Sequence, residues 1–289
     1  MYIFLVCIAA EKGVTFDLYD LKGNIMFEKI LVFLGSLKMK TPVRWGWFHL
    51  MWFVLSAIII AIFVFYKIKG KKMSDKMVFG IYGYGSLLLE VTKQLIWSVS
   101  FEDGVYLWDY NWYAAPFQLC TTPMFVSIAL TFVKNDKVKK YLLSYLGLFT
   151  IISSLSVMLL PDSCFTRDIL INIHTMYLHF GPFVIALYIH IFNKVELNYQ
   201  NLFKGFIIFM AFVATALLLD VVVYKSGLCG DETFNMFYIS PYFNSSLPVF
   251  CDIQPLIPYP LFLVCYILAL FAGSNVVMWL IRLIKRLKK

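Results

Sequence analysis

Seven residues of this chain have the types and placement that chemistry needs: His49, Glu90, Lys93, Cys120, His174, His179 and Asp220. Each falls in the outer half, or near the middle, of a long apolar stretch. Ionisable groups in hydrocarbon are costly and mark functional cavities. A thiol converging with histidines is the raw material of nucleophilic catalysis, in which the thiolate attacks and the imidazole carries the proton. The same residues suit a polar transport site or a zinc site. No paired spacing such as HExxH and no CxxC occurs, so no metal and no cofactor is expected.

Cys120 sits in PFQLCTTPMF. Pro116 suits a helix start because its missing N–H is not needed there. That reading places Cys120 about 6 Å inside the helix, within reach of the positive end of the macrodipole. Pro123 interrupts the same turn, and Gln118 and Thr121 add polar groups beside the thiol. Glu90 and Lys93, three apart, meet on one helix face. His174 and His179 are five apart and point about 140° from each other, so they serve different points. His179 lies deeper and precedes Gly181-Pro182, while His174 lies nearer the outer interface. His190 falls at the cytoplasmic interface, and Asp220 reads as reaching the outer one. Gly80, Gly83 and Gly85 read as small residues for close helix packing.

These residues need a membrane scaffold. The chain has 289 residues, of which 61% are hydrophobic and 15% charged. Soluble domains carry about 25% charged residues. Seven apolar spans are expected, at about 45–66, 77–98, 115–133, 141–160, 169–192, 203–224 and 259–281. The fold class is therefore all-α, a polytopic bundle of seven transmembrane helices. The net charge of +8 lies in short loops and sets topology rather than binding nucleic acid. Lysines crowd the loops after spans one and three, and the tail is RLIKRLKK. Alternate loops are poor in cations. The C-terminus is then cytoplasmic and the N-terminus outside. Residues 1–44 form a separate segment in which NIMFEKILVFLGSLK reads as an interfacial amphipathic helix, and residues 45–289 form the transmembrane domain. The first ten residues lack a basic leader, so no cleaved signal peptide is expected. Cys229 and Cys251 share one outer loop, where a disulfide is one of two open alternatives.

The order of these motifs resembles the YwaF-like bacterial membrane proteins and the vertebrate transmembrane protein 164 family. The resemblance rests on FHL at His49, E-x-x-K at Glu90 and Lys93, PFQLC at Cys120, Pro161-Asp162, LHFG at His179, and Asn235-Met236-Phe237 before Pro241. It covers residues 45 to 281. It implies seven helices and acyl transfer between phospholipids and lysophospholipids, with Cys120 and His179 as the catalytic pair. His49, Glu90, Lys93, Gln118, His174 and Asn235 are then supporting or substrate-binding residues. The expected partners are membrane phospholipids, without nucleic acid or an obligate protein partner. A small-solute transporter or binder is the alternative. It needs a polar path to the cytoplasmic side, and the sequence shows no inverted repeat.

Overall fold

The structure is a computed structural model that describes residues 25–102 and 105–287. It is helical apart from one short β-hairpin, Val99–Glu102 paired antiparallel with Val105–Trp108. The first helix, α1 (Ile25–Ser36), precedes α2 (Trp47–Ile68), an apolar helix whose one charged residue is Lys67 in its last turn. Beyond α2, Gly70 turns at φ 62° and Lys71 N–H closes on Tyr66 O at 3.0 Å. Helix α3 (Asp75–Trp97) opens on a Ser74 cap, and the acidic Asp75 in its first turn suits the helix dipole.

Between residues 109 and 121 the chain is mostly irregular. A 3-10 turn at Trp112–Ala114 leads to α4 (Thr122–Phe132). The expected third span is therefore only 11 residues of helix, about 16 Å long against a hydrocarbon core of about 30 Å. Pro116 does not start it. Thr121 Oγ1 instead accepts from Gln118 N–H at 3.0 Å and donates to Gln118 O at 2.8 Å, a local turn that competes with helix. Pro123 takes the first helical turn.

The expected fourth span is split into α5 (Asp136–Leu148) and α6 (Thr150–Leu159), which join at Phe149. Helix α7 (Ile169–Ile191) keeps Pro182 inside, and α8 (Tyr199–Ser226) runs from an Asn198 cap to Gly227 at φ 70°. A short α9 (Phe250–Ile253) and the long α10 (Tyr259–Leu287) complete the described chain. Among the described residues five stretches are long and apolar enough to cross a membrane: α2, the α5–α6 run, α7, α8 and α10. Helix α3 has the length, but Asp75, Lys76, Glu90 and Lys93 make it too polar to count with them.

Helix α3 packs between α4 and α7, α2 and α6 cover α7, and α5 packs on α8. Gly83 permits the close approach of α3 to α4, since a Cβ there would lie 2.8 Å from Ile128 Cγ1. Phe63, Phe79, Tyr188, Ile189 and Val195 belong to the main buried apolar cluster. Large apolar side chains such as Ile58, Ile62, Leu218, Leu268 and Leu283 face outward, as a lipid-facing surface requires. The segment after α1 docks on the α6–α7 connection. Met39 N–H donates to Arg167 O at 2.8 Å, and Lys38–Asp168 and Arg44–Asp162 pair across the same contact. Cys229 and Cys251 are both free, so no bridge joins them. Cys7 and the first ten residues lie outside the described residues.

Candidate functional site

The polar centre forms where α3 meets α7. Glu90 is one carboxylate shared by three donors. His174 Nε2 donates to Oε2 at 2.7 Å, and Lys93 Nζ and Gln94 Nε2 reach Oε1 at 2.6 and 2.9 Å. Helical spacing explains the last two, because residues three and four apart share a face. Gln94 also donates to Ala114 O at 2.6 Å, which ties the irregular segment before α4 to α3. All four side chains are buried. A buried ion pair survives desolvation only when its polar atoms are satisfied, and the extra donors satisfy both Glu90 oxygens, while Gln94 Oε1 is left without a partner among the described residues.

Cys120 lies in the turn just before α4, two residues ahead of its first helical residue. Cys120 is half-buried as a residue. Lys93, Glu90, Tyr82 of α3, Tyr145 of α5 and Tyr238 lie within electrostatic range of it. Thr122 Oγ1 and Tyr145 Oη, 2.5 Å apart, pin the helix start to α5. Irregular backbone at membrane depth is tolerated where it is enclosed by protein or lines a cavity. This segment meets that condition, since Ala114, Ala115, Thr121 and Thr122 are buried.

The loop after α8 covers the same turn. Gln118 Nε2 donates to Asn235 O at 3.0 Å, and Gln118 Oε1 accepts from Phe237 N–H at 2.9 Å. Asn235 fixes the loop internally, accepting from Ser240 N–H and donating to Asn244 O. Asp220 does not reach the interface as its position suggested. It is fully buried and accepts Met236 N–H at 2.7 Å. Phe237 and Tyr238 are held at φ 56° and 58°, a left-handed conformation that bulky residues adopt only under constraint. The Gln118 clasp and the Asp220 anchor provide that constraint.

The other histidines face elsewhere. His49 is consumed by main chain: Nδ1 accepts Trp45 N–H at 3.1 Å and Nε2 donates to Met158 O at 3.0 Å. Both nitrogens are committed, so the expected supporting role at Cys120 has no atom to perform it. His179 interacts with the Ser153 main chain and electrostatically with His174, and its Nδ1 is buried without a partner. His190, in the last turn of α7, is buried and donates to Gly147 O at 2.7 Å. Among the described residues no hydrogen bond joins Cys120 to a histidine, and no group of three His, Cys, Asp or Glu side chains is placed to hold a metal ion. Gln94 and Tyr145 are site residues that spacing missed. The one local signal was Gln94, four residues after Glu90 and on its face.

Long apolar helices around a buried, charged polar centre define an integral membrane protein. More particularly, the chain belongs to the TMEM164 family, whose family model matches residues 42–278. That range takes in every residue of the centre and the Gln118–Asn235 clasp. No curated protein and no solved structure matches the chain.

Proposed function

We propose that this protein is a membrane-embedded lipid acyltransferase, or acyl hydrolase, working through a Cys120 thioester. The observation that carries the reading is the thiol's position, in non-helical backbone beside the buried Glu90–Lys93–His174 cluster. The Cys120 thiolate attacks the ester carbonyl of a phospholipid. The ester C–O bond breaks, and a histidinium protonates the departing glycerol oxygen. A lysophospholipid hydroxyl, or water, then gives its proton to that histidine and attacks the thioester, which releases the thiolate. His179 is the candidate base, because its buried Nδ1 has no protein partner. Contact between thiol and imidazole would form in the lipid complex, since catalytic hydrogen bonds often tighten only there. The irregular backbone just before α4 is the candidate oxyanion site. Glu90 holds His174 and balances Lys93, setting the charge around the thiol.

In this reading α3 and the segment from residue 115 through α4 complete seven crossings, with the C-terminus cytoplasmic and the N-terminus outside. Helix α1 lies in the outer interface, consistent with its tether to the Asp162–Asp168 connection. The lack of an inverted repeat in the sequence supports an enzyme over a transporter with alternating access. The test is lipid turnover by purified protein in phospholipid vesicles, followed by lipid mass spectrometry. His179→Ala and Cys120→Ala should each abolish turnover, whereas His49→Gln should lower it only as far as it lowers folded protein. Turnover that survives Cys120→Ala removes the thioester. Loss with His174→Ala but not His179→Ala moves the base to His174.

A further inference from the structure

The opposite end of the bundle carries a second charged feature that the reaction above does not use. Asp75 starts α3 fifteen residues before Glu90, about 22 Å away along the helix. Beside it opens a cavity of about 590 Å³, lined in part by Lys67, Lys71, Lys72, Lys194, Asp75 and Phe192. Small-ligand sites have this size.

Its charge is one-sided. Asp75 is already engaged, by Lys194 Nζ at 2.6 Å and by Tyr188 Oη at 2.5 Å. Among the described residues no carboxylate pairs with Lys67, Lys71 or Lys72. Four lysines therefore line the cavity with one carboxylate.

Its frame is fixed. The Gly70 turn sets where Lys71 and Lys72 leave α2, and Lys71 N–H is bonded to Tyr66 O. Lys194 N–H is bonded to Ile189 O at 2.9 Å, and its ammonium lies 5.1 Å from the Tyr188 ring centre. The Lys67 ammonium sits 5.9 Å from the Phe192 ring centre. The Lys194 and Lys67 ammonium groups are thus placed by side-chain contacts, and Lys71 by its main chain. Apolar surface continues from the rim: Phe65, Ile68 and Met77 are all exposed, and Ile68 is 76% exposed. A ligand here meets ammonium groups at one end and a lipid-facing helix surface at the other.

We propose that this cavity binds the phosphate headgroup of an acidic phospholipid, with the acyl chains lying along α2 and α3. Juxtamembrane lysine clusters attract anionic lipid at about 1 kcal/mol per residue. A preformed cavity adds shape to that attraction. The expected specificity is for a phosphate without a compensating choline.

The experiment uses the purified full-length chain in detergent and measures Kd by fluorescence competition for four probes. They are dioctanoyl phosphatidylglycerol, dioctanoyl phosphatidylcholine, glycerol 3-phosphate and inorganic phosphate. The glycerol lipid should bind at least tenfold tighter than the choline lipid and than either soluble phosphate. The exposed double variant Lys71→Glu/Lys72→Glu should lose at least tenfold. Lys134→Glu/Lys137→Glu, the same charge change in the α4–α5 loop, should change Kd less than twofold. Equal binding of the two lipids, or equal loss in both double variants, would overturn the site. Soluble phosphate binding as tightly as the lipid would overturn the lipid assignment.

Discussion

Helices α3 and α7 carry the same device at both ends. At one end Glu90 of α3 takes His174 of α7 and Lys93; at the other Asp75 of α3 takes Tyr188 of α7 and Lys194. The distances are nearly identical, but the surroundings differ. The Glu90 side chain is 3% exposed, and that of Asp75 is 50% exposed. In solvent, such a group fastens two helices and leaves neighbouring lysines free to take a ligand. Buried, the same group fixes a charge pattern that neither water nor salt can screen. Burial rather than geometry separates a solvent-facing fastening from a buried charge centre.

The comparison breaks most readily at Glu90. Replacing it with Gln leaves Lys93 buried without a counter-charge, and removing one partner of a buried pair costs about 3–5 kcal/mol. Asp75→Asn should cost under about 1 kcal/mol, as exposed pairs do. Denaturant or thermal unfolding in detergent measures both, and equal losses would refute the contrast. Gln118→Leu is next. It removes the clasp on Asn235 and Phe237 and strands an N–H and a carbonyl, for about 1–3 kcal/mol. Limited proteolysis should then cut first within residues 235–245.

The smallest effect belongs to Arg44 and Asp162, at the tether of the N-terminal segment. The Arg44 guanidinium holds the exposed Asp162 carboxyl below its usual range. A depressed carboxylate pKa stabilises the fold above the unfolded-state value, and that stabilisation is lost as pH falls through the folded-state value. The melting difference between wild type and Arg44→Ala should therefore be present at neutral pH and shrink on acidification. A gap that widened in acid would contradict the pairing.

The apolar runs place most of the helices, because in a membrane each span must be continuous and apolar to exist at all. The Glu90–Lys93 contact was legible because helical spacing dictates it. Two things were not legible. Pro116 is a good helix starter, but the hydroxyl of Thr121 diverts the chain into a turn, and only the competing hydrogen bonds show it. Face and partner were also hidden. His49 and His174 have comparable depth in sequence, yet one bonds only to main chain and the other to a carboxylate. The Gln118–Asn235 clasp joins residues 117 apart, beyond any local pattern. The hairpin had a local signal, Asp103-Gly104 between short β-prone runs, hidden among the aromatic residues of an outer loop.

The central claim is covalent chemistry at Cys120, and intact mass tests it most directly. Purified protein incubated with mixed phospholipids should gain a fatty-acyl mass that hydroxylamine removes, and Cys120→Ala should gain none. An adduct of the same size on Cys120→Ala, or lipid turnover by that variant at the wild-type rate, would contradict the account.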